Sequence, residues 1–283
     1  MTLTLPEGKR VALAITVDFD GESLWLAKNR DHDPTTMSKG QYCGDVAAPR
    51  LLALFDHLGI ATSWGMPVHT YRTWPALAAR IAERHEVFCH GVCHEALGGM
   101  DRATERELLA AQVSAYEGTF GIRPKGYRAP GGPTTVHTLD LLDEFGFQWD
   151  SSLAGGDVLP YRPRRVVSRD RVEGTVFGDP HRVLEFSTTV DQEDWFSFEF
   201  EFGGNPGMMD VDLVRKRWQS MVDWAARVEP GGAVVLTLHP QSIARPHRFD
   251  MLERFLTAMT ERSDVWMASM TQIADTWQED LDD

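Results

Sequence analysis

Residues 90–94 read His-Gly-Val-Cys-His, directly after the apolar run Val87-Phe-Cys. Two imidazoles at this spacing can face one point, either across one helical turn or from a tight loop at a strand end. Neutral imidazole is the commonest metal ligand among side chains. Two imidazoles with one further donor make an open site that keeps a position for solvent or substrate. Asp18-Phe-Asp20 offers that donor, following the strand-like run Val11–Val17. Alternate residues of a strand share a face, so both carboxylates can look into one cavity. A His-x-x-x-His spacing alone also fits a helix-face or core pair of histidines.

Three further polar residues close strand-like runs. Arg128 lies in Gly126-Tyr-Arg-Ala-Pro-Gly-Gly132. It is either a surface charge or a group that keeps one aspartate ionised and oriented through a bidentate contact. Asp150, in Phe147-Gln-Trp-Asp-Ser-Ser152, reads as a turn or cap aspartate or as the orienter of a histidine. His239 ends Val234-Val-Leu-Thr-Leu-His-Pro240, as a capped core residue or a group presented to a site.

These residues need a scaffold that gathers strand ends. Strand-like runs occur at Val11–Val17, Ile60–Trp64, Glu86–His90, Lys125–Arg128, Phe147–Asp150, Val183–Phe186, Ala233–His239 and Val265–Ala268. Helical patterns lie between several of them. Thr104-Glu-Arg-Glu107 reads as a capping box, continued by Leu108–Phe120 up to Gly121; Thr135–Phe145 and Val211–Val228 are similar. Alternation of strand and helix implies a parallel sheet, here a closed or nearly closed α/β barrel of seven or eight strands. Each suspicious polar residue then falls at the C-terminal end of a strand, where such barrels place their chemistry. Two long segments break the rhythm, Glu22–Asp45 and Ser187–Met209. The second carries Trp195, Phe196, Phe198, Phe200 and Phe202, too much apolar surface to leave in water. It predicts a wall of the substrate site or a subunit contact.

The 283 residues, 42% hydrophobic and 25% charged, show no linker, low-complexity run or repeat, so residues 1–283 are read as one catalytic domain. A formal net charge of −14 speaks against nucleic acid, whose phosphates need Lys and Arg, and against anionic membrane surfaces. Three cysteines, Cys43, Cys89 and Cys93, are too few and too odd for a disulfide framework. The first ten residues show no secretory pattern, and no apolar run reaches the length of a membrane span. A cytoplasmic protein is the expectation.

In chain order these stretches resemble the motifs of the polysaccharide deacetylases, the NodB-homology group or carbohydrate esterase family four. Thr16-Val-Asp-Phe-Asp-Gly21 is similar to the first motif, and His90-Gly-Val-Cys-His94 to the metal-binding histidine pair. Arg128-Ala-Pro130 is similar to the third, Asp150 to the fourth, and Leu236-Thr-Leu-His239 to the fifth. The resemblance implies a distorted (β/α) barrel of the NodB type. It implies a divalent metal, zinc above all, on Asp20, His90 and His94, with Asp18 as base held by Arg128. His239, oriented by Asp150, would be the acid, and the backbone N–H near Gly131 would help to hold an oxyanion.

Three positions depart from the pattern. Phe19 separates two aspartates that are usually adjacent, Gly91 replaces a small hydroxyl residue, and Gly131 replaces the aromatic after Arg-x-Pro. These departures resemble a subgroup that includes a cytoplasmic peptidoglycan-deacetylase-like enzyme, cyclic imide hydrolases and an allantoinase. They imply a homo-oligomer, dimer or tetramer, and a small soluble substrate, with a cyclic imide or ring amide ahead of an N-acetylated sugar and a wall polymer third. Three other classes compete. A zinc protease of the His-Glu-x-x-His type needs Glu where Gly91 stands. A structural Cys/His zinc site would use Cys89 and Cys93. A binding protein on a dead deacetylase scaffold would have no need of the full set of aspartates, histidines and Arg128.

Overall fold

The computed structural model describes residues 2–200 and 204–278. Eight parallel strands build one sheet: β1 (Val11–Asp18), β2 (Ser63–Met66), β3 (Glu86–Cys89), β4 (Gly126–Tyr127), β5 (Trp149–Asp150), β6 (Leu184–Glu185), β7 (Gly232–Leu238) and β8 (Val265–Met267). Seven of them lie in the order β7-β1-β2-β3-β4-β5-β6. β7 pairs with β1 from Val11 to Val17. β8 takes Val11–Leu13 of β1 and β2 takes Thr16–Asp18. The sheet curls, and the chain after β6 comes round to β7: Glu193 bridges Thr237 in parallel, and the Thr237 N–H donates to the Gln192 carbonyl at 3.1 Å. The result is a distorted barrel of the NodB type.

Every residue of β1 is buried, as expected of a parallel strand covered on both faces. Alternation divides its side chains between two cores. Val11, Leu13, Ile15 and Val17 belong to the large core under the surrounding helices. Ala12 and Ala14 join Phe88, Trp149, Leu184, Phe186, Ala233 and Val235 inside the barrel. Small residues on β1 leave room for the large rings opposite. Gly126 is needed for the same reason, since a Cβ there would sit 1.9 Å from Cζ2 of Trp149.

The helix Val211–Val228 has the predicted bounds, and its N-cap Asp210 accepts from the N–H groups of Asp212 and Leu213. Arg102–Phe120 starts earlier than the Thr104 capping box predicted, because Asp101 caps it by accepting the Thr104 N–H at 2.9 Å. Thr138–Phe145 starts later than predicted. The Thr135 and Thr138 hydroxyls both donate to Glu105 at 2.5 Å, which holds residues 135–137 outside the helix.

The two long segments are more ordered than their composition suggested. Glu22–Asp45 contains helices Ser23–Ala27 and Pro34–Tyr42 and enters a π-helical turn, Cys43–Ala47, that runs into the helix Ala48–Leu58. Ser187–Met209 contains a short helix, Asp194–Phe198. An antiparallel hairpin, Arg164–Asp170 with Gly174–Pro180, stands apart from the barrel sheet and was not predicted. Its alternation is broken by two register shifts and by Arg164, Arg165 and Arg169 on the first strand.

Candidate active site

Asp18 ends β1 and Asp20 follows it, and both are buried. The histidine pair is in a loop rather than on a helix. Gly91 and His94 take left-handed conformations, φ 88° and 58°. A Cβ on Gly91 would also lie 2.9 Å from Cγ of Pro130, so glycine is required on two counts. Glu95 closes the turn by accepting the N–H groups of Val92 at 2.9 Å and Cys93 at 2.7 Å. Gln112 accepts the Gly91 N–H at 2.7 Å. His90 Nδ1 donates to the Arg128 carbonyl at 2.9 Å, which leaves Nε2 facing the aspartates.

His90 Nε2 lies 3.4 Å from Asp20 Oδ1 and 3.7 Å from Asp18 Oδ2, and His94 Nε2 lies 3.7 Å from Asp20 Oδ1. One donor atom each from Asp20, His90 and His94 falls within 4.8 Å of the others. Asp20 Oδ1 is buried and accepts no hydrogen bond among the described residues. An oxygen left so between two imidazole nitrogens fits a divalent cation, the group that would satisfy all three. Gln241 Nε2 reaches the other oxygen, Oδ2, at 3.5 Å, a contact the sequence did not suggest.

The electrostatics suit ligation. Burial works to raise the Asp20 pKa, but the charge of His94, with those of His90 and His239, outweighs it and holds the carboxyl well below the usual range. Burial pushes the His94 imidazolium down to about 4, with His90 and His239 helping and Asp20 opposing. His94 is therefore neutral at pH 7, as a ligand must be. His90 is also opposed by burial, yet Asp18 and Asp20 raise it above the ordinary histidine value. Neither Cys89 nor Cys93 joins the donor cluster found among the described residues. Strand alternation turns Cys89 into the outer core, where burial pushes its thiol far up.

Arg128 leaves β4 and meets Asp18 Oδ1 through Nη1 at 2.7 Å. The contact is one-pronged and not the bidentate pair considered from the sequence. The other prongs are committed to Thr16 Oγ1 at 3.0 Å, the Ser151 carbonyl at 3.0 Å and Ser151 Oγ at 3.1 Å. Gly131, with φ 68°, passes close to His94: a Cβ there would lie 4.0 Å from Cε1.

His239 follows β7, with Nε2 4.0 Å from Asp18 Oδ2. Its Nδ1 donates to Asp194 Oδ1 at 2.8 Å, and its backbone N–H donates to both Asp194 oxygens at 3.0 Å. Asp194, and not Asp150, orients this histidine. The reason is strand parity. Trp149 points into the barrel, so Asp150 points out of it, where it binds the Ser152 hydroxyl at 2.6 Å. Asp194 is a residue the sequence reading missed, although the run Asp194-Trp-Phe had stood out for its aromatics. Burial alone would lower the His239 pKa, but Asp194 by charge and hydrogen bond, with Asp20 and Asp18, raises it to about 10.

Trp195 covers this corner, its ring 5.3 Å from the imidazole of His239 and 6.0 Å from Trp25. The predicted aromatic strip is thus divided. Trp195 roofs the site, Phe198 is buried, Phe196 and Phe200 are exposed, and Phe202 lies outside the described residues.

The family described as polysaccharide deacetylase matches residues 41–149. A solved structure of a Mycobacterium smegmatis protein assigned as a polysaccharide deacetylase is 33% identical, covers 97% of this chain and 92% of its own, and superposes with a TM-score of 0.83. The chain belongs to the polysaccharide deacetylase family. A peptidoglycan deacetylase of Helicobacter pylori is 27% identical over 94% of this chain and 96% of its own length. An allantoinase shares the fold at 22% identity, with a TM-score of 0.79 over 96% of this chain and 92% of its own. As a polysaccharide-deacetylase-like hydrolase of carbon–nitrogen bonds, the chain carries more of its site than the family match spans. Residues 41–149 include His90, His94 and Arg128, while Asp18, Asp20, Asp194 and His239 come from outside and are joined to them by the fold.

Proposed function

We propose that this polysaccharide deacetylase-family chain is a metal-dependent amidohydrolase of a small soluble substrate, a cyclic imide or related ring amide. The observation that carries the reading is the convergence of Asp20, His90 and His94 on one point, with Asp18 and His239 facing each other beside it at 4.0 Å. Imidazole and carboxylate donors favour zinc, and a divalent ion bound there supplies Lewis-acid polarisation of the amide carbonyl and a lowered pKa for water.

The protein's own residues do the rest. Asp18, acceptor-only while ionised and aligned by Arg128, takes the proton of the attacking water. His239 is kept protonated by Asp194 and gives its Nε2 proton to the departing nitrogen. A backbone N–H near Gly131 faces the developing oxyanion. Each acid or base role is worth about 10²–10⁴ in rate. The same set removes an acetyl group or opens a ring, since both are additions of water to a C–N carbonyl.

Substrate size is argued from the roof. Asp18, His90 and His94 are buried, and Trp195 with Trp25 stands over His239. A long glycan groove wants aromatic platforms, and Gly131 and Gly132 occupy the position where one would stand. The second reading, N-deacetylation of an N-acetylated sugar, is favoured by the full-length similarity to the H. pylori peptidoglycan deacetylase. We place the chain in the cytoplasm as a homo-oligomer with one catalytic domain. Its cysteines are free, two of them fully buried, and no helix among the described residues is long and apolar enough to cross a membrane. The hairpin exposes Val166, Val167, Val172, Val176 and Phe177, apolar side chains that a second copy of the chain would cover.

A screen of the metal-replete protein decides the substrate. Faster kcat/KM on succinimide, dihydrouracil and hydantoin-type rings than on N-acetylglucosamine oligomers supports the first reading. A rate on the oligomers that is higher and grows with their length supports the second.

A further inference from the structure

Asp150 and Glu185 are paired residues of the neighbouring strands β5 and β6, and both are fully buried. Trp149, Leu184 and Phe186 fill the inner face of these strands, so the two carboxyls lie together on the outer one. Asp150 Oδ1 accepts the Ser152 hydroxyl at 2.6 Å. Glu185 Oε1 accepts the N–H groups of Ser152 at 3.1 Å and Leu153 at 2.8 Å. The remaining oxygens, Asp150 Oδ2 and Glu185 Oε2, have no donor among the described residues, while the two side chains are within hydrogen-bonding reach of each other. The other titratable groups facing them are Arg128, Tyr127 and Tyr161. Arg128 spends its N–H groups on Asp18, Thr16 and Ser151. Two buried carboxylates side by side without a cation on them do not both ionise, and one proton between them gives each bare oxygen a partner.

We propose that Asp150 and Glu185 share one proton and together position Arg128. Ser152 Oγ, held by Asp150, accepts the Ala129 N–H at 2.9 Å. Ser151, held in the same turn, accepts two prongs of the Arg128 guanidinium. The pair thus fixes the turn after β5, the turn fixes Arg128, and Arg128 aligns Asp18. The pair touches neither substrate nor reacting atoms. The activity part of this inference rests on the amidohydrolase reading, whereas the shared proton does not.

The sign of the pH effect follows from the geometry. Burial, and then the charge of Asp150, raises Glu185 well above the ordinary carboxyl value, and burial raises Asp150 too. Between the unfolded and folded values the folded chain holds more protons than the unfolded chain, so stability falls as pH rises through that window. Glu185→Gln gives Asp150 a permanent N–H donor and removes the shared proton.

The experiment is thermal unfolding of the wild type and Glu185→Gln from about pH 5 to about pH 8, with metal content and kinetics alongside. The wild-type Tm falls with pH more steeply than that of Glu185→Gln, by several degrees over the range. Glu185→Leu keeps metal and KM but loses at least tenfold in kcat, while Glu185→Gln stays within threefold of wild type. If Glu185→Leu does not fold, Ser152→Ala cuts the same path without burying a charge, and it is expected to lower kcat with metal retained. Equal pH slopes for wild type and Glu185→Gln overturn the shared proton. An unchanged kcat in Glu185→Leu, or in Ser152→Ala where that variant replaces it, overturns the positioning role. A wild type that hydrolyses no amide counts against the amidohydrolase reading alone, since the two slopes still decide the proton.

Discussion

The carboxylate of Asp194 grips His239 twice, accepting from the ring Nδ1 at 2.8 Å and from the backbone N–H at 3.0 Å. The ring therefore has one orientation, with Nε2 turned toward Asp18, and the carboxylate favours the imidazolium. Removing that charge lowers the His239 pKa from about 10, so the acid form is lost at lower pH. Asp194→Asn is expected to shift the alkaline limb of the kcat/KM profile downward and to reduce kcat by about 10²–10⁴. Asp150→Asn is expected to leave that limb governed by His239. A pH–rate profile of each variant checks both statements.

Metal binding is expected to release a proton. His90 carries a raised pKa between Asp18 and Asp20, while His94, at about 4, is already neutral. Only a neutral imidazole can ligate, so the proton leaves His90, and affinity rises with pH until His90 is neutral in the apo protein. Titration calorimetry in buffers of different ionisation enthalpy measures the number released. Proton release that does not grow as the pH is lowered would contradict the raised His90 pKa.

The two aspartates are expected to separate. Asp20 faces both imidazole nitrogens and Asp18 faces Arg128 and His239. Asp20→Asn and His94→Ala should lose metal and activity together. Asp18→Asn should keep metal and lose about 10²–10⁴ in kcat. Metal analysis beside kinetics tests this, and the opposite pattern exchanges the roles.

Arg128 and Asp18 form a buried ion pair at 2.7 Å. Removing one member of such a pair typically costs about 3–5 kcal/mol, because the other charge is left uncompensated. Arg128→Leu is expected to lose stability on that scale, and Asp18→Asn with Arg128→Leu to regain part of it. Denaturant unfolding of the single and double variants gives the coupling.

The hairpin Arg164–Asp170 with Gly174–Pro180 is expected to lie in a subunit contact, its apolar side chains covered by a second copy of the chain. Light scattering at micromolar concentration should show a dimer or tetramer, and Val167→Asp with Phe177→Asp should dissociate it. A monomeric wild type removes the oligomer.

The sequence by itself determined the barrel and singled out most of the candidate residues that the fold brings together. All eight strands were legible because a parallel strand covered on both faces needs an apolar run such as Val11–Val17, and composition alone shows it. The histidine pair, both aspartates, Arg128 and His239 were legible because each ends such a run. The helices Pro34–Tyr42 and Asp194–Phe198 were not, since they are short and hold their place by packing rather than by an amphipathic pattern. Only the tertiary structure decided which aspartate holds His239. Asp150 and Asp194 both precede that histidine, and spacing does not distinguish them. The pleat turns Asp150 away behind Trp149, while the chain after β6 bends back beside β7 and brings Asp194 onto the imidazole. That return is a long-range pairing of Glu193 with Thr237, and no local propensity encodes it.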